Sequence, residues 1–156
     1  EEAVMAIKFA LATNLLLEND FSIQWQIKPH SLTNKHKLLA AIDLTLPDNC
    51  SWLDKDFHES LDEVDVLMGS ASSTCMEAIA RGKYVIIIGN PHGITHNPIP
   101  SSVPNKLWKL CYSPSEAADV LKRHTNDFAI PSSSSSIRDI FFKPVTKEGV
   151  AQMIEI

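Results

Sequence analysis

At 156 residues, with 44% apolar and 21% charged side chains, the chain can bury a sizeable core and has an ordinary globular composition. A formal net charge of −5 excludes a dedicated nucleic-acid binder, which needs a strongly basic face, but leaves room for a local anion site made of backbone N–H groups. Cys50, Cys75 and Cys111 form no CxxC pair and no Cys/His zinc spacing, so they read as reduced, packed thiols in a cytoplasmic setting.

Residues 3–19 predict a helix with no Pro or Gly, closed by Asn19-Asp20. Its apolar run is interrupted by Lys8 and falls short of the ~20 residues needed to span a bilayer. Such a greasy helix is expected to pack on more than one side. Residues 21–28, FSIQWQIK, set Phe21, Ile23, Trp25 and Ile27 against polar neighbours, a period of two that predicts a strand stopped by Pro29. SLTNKHKLLAAI offers a short helix. Residues 47–64 read as a polar connection with a helical turn near 57–61.

DVLMG then predicts a short buried strand, residues 74–81 a helix, Gly82 its C-terminal cap and YVIII a second buried strand. Two apolar strands around one helix make a βαβ unit and imply a parallel sheet with a right-handed crossover. GNPHGITHNPIPSSVPN is a loop, KLWKLCY a strand, and SPSEAADVLKRH a helix opened by Ser113 or Ser115. IPSSSSSIRD reads as a low-complexity loop and VTKEGVAQMIEI as a last short helix. The fold class expected is α/β: one Rossmann-like domain over 1–156, with a parallel sheet and helices on both faces.

The stretch GSASSTCMEAIARGKYVIIIG (69–89) crowds small and hydroxyl residues where a strand gives way to a helix. The carboxyl end of a parallel strand is where open α/β sheets bind ligands, and small side chains let a phosphate approach the backbone. Thr74-Cys75-Met76-Glu77 equally fits a capping box, with Thr74 as N-cap and Glu77 reaching back to it. Spacing leaves both readings open. The turn is neither a GxGxxG fingerprint nor a Walker loop, which would need GK[ST]. IKPHS places Lys28 and His30 at the end of another predicted strand, on the same edge.

The run DEVDVLMGSASSTCMEAIARGKYVIII resembles the donor-nucleotide half of GT-B glycosyltransferases. The likeness is greatest to capsule and surface-polysaccharide transferases, CDP-glycerol glycerophosphotransferases and polysialyltransferases. KPHS (28–31), Ser72-Ser73, Glu77-Ala78, GKYVIII (82–88) and the closing FFKPVTKEGVAQMI follow the order of that family's motifs. Ser31 stands where a second Pro is usual, and Tyr84 where a Pro precedes the buried strand. The resemblance implies that Ser72, Ser73 and Thr74 contact the donor's phosphates. It gives Glu77 the ribose hydroxyls and His30 the leaving phosphate, as stabiliser or proton donor.

The substrate so implied is a UDP-, CDP- or CMP-linked donor, with no resident cofactor and no metal. GT-B enzymes pair two Rossmann-like domains, so the resemblance also implies an N-terminal acceptor domain or partner subunit outside this chain. It leaves room for peripheral membrane association of the full enzyme, and implies that the chain alone transfers nothing.

His92 and His96 lie four apart in a Pro/Gly-rich loop without a carboxylate or Cys partner, which argues against a metal site. In the family arrangement this loop borders the donor's base or sugar. A Ser–His–Asp hydrolase lacks its GxSxG elbow. Two further readings stay open: a nucleotide-sugar 2-epimerase-like domain, and a non-catalytic α/β module that docks a partner through its first helix.

Overall fold

The computed structural model describes residues 2–17, 23–30, 32–43 and 45–124. The serine-rich loop, the closing helix and the FFKPVTKEGVAQMI motif lie outside the described residues, as do Phe21, Ser22 and Ser31.

In chain order the elements are α1 (Glu2–Leu17), β1 (Trp25–Ile27), α2 (Lys35–Ile42), β2 (Cys50–Trp52), α3 (Phe57–Leu61), β3 (Val66–Gly69), α4 (Thr74–Ala80), β4 (Tyr84–Ile88), β5 (Trp108–Cys111) and α5 (Pro114–His124). β1 pairs with β2, and β3-β4-β5 form a second sheet; every pairing is parallel. Ile23 and Trp25 join the same apolar core as Val66 and Met68, which ties the smaller sheet to β3. The fold is α/β and Rossmann-like, with helices on both faces.

β4 shows why both faces must be covered. Its five residues are all buried, and alternate side chains point to opposite faces of the sheet. Val85 and Ile87 pack with Cys75, Met76, Ala78 and Ile79 of α4. Tyr84, Ile86 and Ile88 pack with Phe9 and Leu17 of α1 and Ala117, Ala118, Val120 and Leu121 of α5. Each such isoleucine removed from water contributes about 2–3 kcal/mol before entropy is counted.

The apolarity of α1 serves two internal clusters. Ile7, with Val4 and Leu11, meets Leu38 and Ile42 of α2, while Phe9 and Leu17 meet α5 and β4. Leu15 and Leu16, at its carboxyl end, stay exposed. Two polar side chains of α1 are buried, Thr13, whose hydroxyl donates to the Phe9 carbonyl at 2.9 Å, and Asn14. Asn14 Oδ1 accepts from Trp25 Nε1 at 2.8 Å and from Asn49 Nδ2 at 2.8 Å, and Asn14 Nδ2 donates to Asn49 Oδ1 at 3.0 Å. Asn49 Nδ2 also donates to the Ile23 carbonyl at 2.9 Å. This amide clasp pins α1, the entry to β1 and the entry to β2 together.

The strand expected over 21–28 is shorter in the structure, Trp25–Ile27, although the alternating exposure extends from Ile23 to Lys28. Its partner β2 falls inside the stretch expected to be a polar connection. Only three residues long, it is carried by pairing with β1 rather than by a hydrophobic run. α5 begins after Ser113, whose Oγ accepts from the Glu116 N–H at 3.3 Å, while the Glu116 carboxylate accepts from the Tyr112 N–H at 2.7 Å.

Gly82 closes α4 as expected, at φ 81°, with its N–H bonded to the Ile79 carbonyl and the Lys83 N–H to that of Ala78. Replacing Gly82 with Ala places a Cβ in this left-handed conformation and lowers stability by about 1 kcal/mol, read as a drop in thermal midpoint. Among the described residues no helix is long and apolar enough to cross a membrane.

Candidate functional site at the carboxyl rim of the strands

β3 ends at Gly69, and the turn Ser70–Ser73 leads into α4. A Cβ added to Gly69 would meet Cys75 Sγ at 3.6 Å, an ordinary contact, so packing alone does not demand glycine there. The capping box that the spacing of Thr74 and Glu77 allows is not formed. The N-cap is Ser73, without a side-chain cap bond, and the hydroxyl one residue earlier does the local bonding. Ser72 Oγ accepts from the Thr74 hydroxyl at 2.8 Å and from the Thr74 N–H at 3.3 Å.

The remaining N–H groups of the first turn are also engaged. Cys75 donates to the Ser72 carbonyl, and Met76 and Glu77 to that of Ser73. The donors left open lie just upstream: among the described residues, the N–H groups of Ala71, Ser72 and Ser73 meet no acceptor. The small residues therefore serve the approach to the helix more than the helix itself.

Glu77 turns toward α3. Its Oε1 lies 2.6 Å from His58 Nδ1 and 3.2 Å from Arg81 Nη2, with the carboxylate only 23% exposed. Arg81 Nη1 also donates to the His58 carbonyl at 2.9 Å and lies 3.4 Å from Asp62 Oδ1. The guanidinium thus spans the two helices. Neither His58 nor Arg81 carries a motif that would mark it in sequence; the contacts arise because α3 packs beside α4.

A cleft of about 540 Å³ opens at the carboxyl ends of β3 and β4. It is lined by Ser70 and Ala71 after β3, Ile88 at the end of β4, Asn90, Ile94, Thr95 and His96 of the loop that follows, and Glu2 and Met5 of α1. That loop is shaped by Asn90, whose N–H donates to Thr95 Oγ1 at 2.8 Å and whose Oδ1 accepts from the His92 N–H at 3.0 Å. A Cβ on Gly93 would stand 2.9 Å from Asn90 Nδ2, so a larger residue there would make the Asn90 side chain shift. The sequence signal for it is GNPHGITHN, a Gly/Asn-rich loop leaving a buried strand.

Ser72, Ser73, Thr74, Glu77 and His30 do not line this cleft. Ser72 to Glu77 continue directly from its Ser70–Ala71 wall. His30 is exposed on the loop after β1, its Nδ1 accepting from the Leu32 N–H at 3.2 Å. Lys28 is committed to the Lys55 carbonyl at 2.6 Å, as a strand-end charge. Of the two loop histidines, His96 borders the cleft and His92 is exposed. Among the described residues, no group of three His, Cys, Asp or Glu side chains is placed to hold a metal ion.

Cys75 and Cys111 are fully buried, and burial pushes both thiols from the ordinary 9.0 up to about 11; the half-buried Cys50 is also raised. A neutral thiol-reactive reagent is expected to label Cys50 first, and Cys75 and Cys111 only on unfolding, as mass spectrometry would show. Folding disfavours both thiolates. Their contribution to stability is therefore complete below pH 9 and is lost as pH rises through about 11. A thermal midpoint that rises between pH 9 and 11 would contradict this.

Comparison with protein-family models, curated proteins and solved structures finds no match to this chain.

Proposed function

We propose that this chain binds an activated nucleotide donor, a nucleotide-sugar or a CDP-glycerol-like compound, as the donor half of a glycosyltransferase. The observation that carries the reading is the cleft at the carboxyl ends of β3 and β4, with the open N–H of Ala71 on its wall and those of Ser72 and Ser73 next along the chain. Strand ends of this kind are where α/β sheets take their ligands, and N–H groups without acceptors suit phosphate oxygens.

In this reading the phosphates lie along Ala71, Ser72 and Ser73, helped by the Ser73 hydroxyl, while the transferred group occupies the cleft. Thr74 supports Ser72 rather than the ligand. Glu77 follows one turn of helix later, about 6 Å along the axis, a distance a ribose attached to the diphosphate can cover. Its carboxylate accepts from the ribose hydroxyls. His96 is the imidazole that borders the cleft, and the role the family resemblance implies for His30, facing the leaving phosphate, passes to it. The acceptor would be supplied by a second domain or subunit.

Calorimetric titration with UDP, CDP and CMP tests the proposal. Saturable one-to-one binding of at least one of them is expected. If all three fail to bind folded protein, the docking-module reading takes its place.

A further inference from the structure

The Glu77 carboxylate, 23% exposed, is held at one point. Both donors that reach it, His58 Nδ1 and Arg81 Nη2, converge on the same oxygen, Oε1. Among the described residues Oε2 has no partner. A carboxylate held at one oxygen by two donors is fixed in orientation, and the other oxygen is presented as an acceptor. Arg81 adds rigidity, since its second nitrogen holds the His58 carbonyl and so keeps α3 against α4 while the first holds Glu77.

We propose that His58 and Arg81 are positioning residues: they hold Glu77 so that Oε2 accepts from a ligand's ribose hydroxyls. The inference rests on the nucleotide reading above. His58 itself touches no ligand in this account. Its ring sets the direction of the carboxylate, and an unrestrained Glu77 would lose part of each ligand hydrogen bond to the cost of ordering its side chain.

The test compares CDP and UDP with their 2′-deoxy counterparts on wild type, His58→Ala and His58→Asn, with folding checked by circular dichroism. The asparagine amide can donate from nearly the position of Nδ1. Loss of a charge-assisted hydrogen bond should give wild type a preference for the ribonucleotide of about tenfold. That ratio should shrink toward unity in His58→Ala and persist in His58→Asn. A merely structural His58 would weaken both ligands equally and leave the ratio unchanged, which would overturn the positioning role alone. Tighter ribonucleotide binding by His58→Ala would also overturn it, by making the histidine a competitor of the ligand. Wild type that binds neither nucleotide overturns the nucleotide reading itself, and the positioning role falls with it.

Discussion

Asn14→Ala is expected to lower the stability of the chain by about 3 kcal/mol, more than any other single polar truncation among the described residues. The side chain is buried, and it is the shared partner of Trp25 Nε1 and of both amide atoms of Asn49. Truncation leaves an indole N–H and part of a second amide in a half-buried setting without acceptors, and adds a small void. Urea denaturation followed by tryptophan fluorescence would read the loss as a lower midpoint with an unchanged slope. Asn49→Ala removes the same reciprocal pair, so the double variant should cost little more than the worse single one. Additive losses would show that the two amides act separately, contrary to the geometry.

Ala71→Glu is expected to weaken nucleotide binding by about 100-fold or more, the size of an effect that opposes charge to a diphosphate at close range. Ala71 is exposed, lines the cleft and contributes one of the open N–H groups, so the substitution costs the fold little. The introduced carboxylate would repel the phosphates and compete for the donors meant for them. Ala71→Gln, of similar size and uncharged, should lose far less. Calorimetry on the two variants separates charge from bulk: equal losses would place the phosphates elsewhere.

The parts of this fold written in strong local patterns were legible from sequence. YVIII could only be a strand covered on both sides, and Gly82 could only close the helix before it. The strands whose existence depends on a neighbour were not. β2 is three residues with a single alternation, Cys50-Ser51-Trp52, and becomes a strand because β1 lies beside it.

The capping motif shows a related limit. Thr74 and Glu77 have the spacing of a capping box, yet tertiary contacts with His58 and Arg81 draw the carboxylate away. Ser113 and Glu116 make a closely related arrangement at α5, where no other described residue competes for the acid. At the site, residue types located the turn after β3, whereas the loop after β4 was placed beside the ligand only by the family resemblance. Its wall is assembled from Asn90, Thr95 and His96, whose roles follow from how the loop folds over β4 rather than from any spacing.

The central claim is that the open amides after β3 and the loop after β4 grip one phosphate-bearing ligand between them. Amide chemical-shift mapping during titration of the isotope-labelled protein with CDP and UDP addresses it most directly. The account predicts saturable shifts concentrated at Ser70–Ser73 and at residues 90–96, with Glu77 following. Saturable shifts confined to other surfaces, or none at millimolar nucleotide, would contradict it.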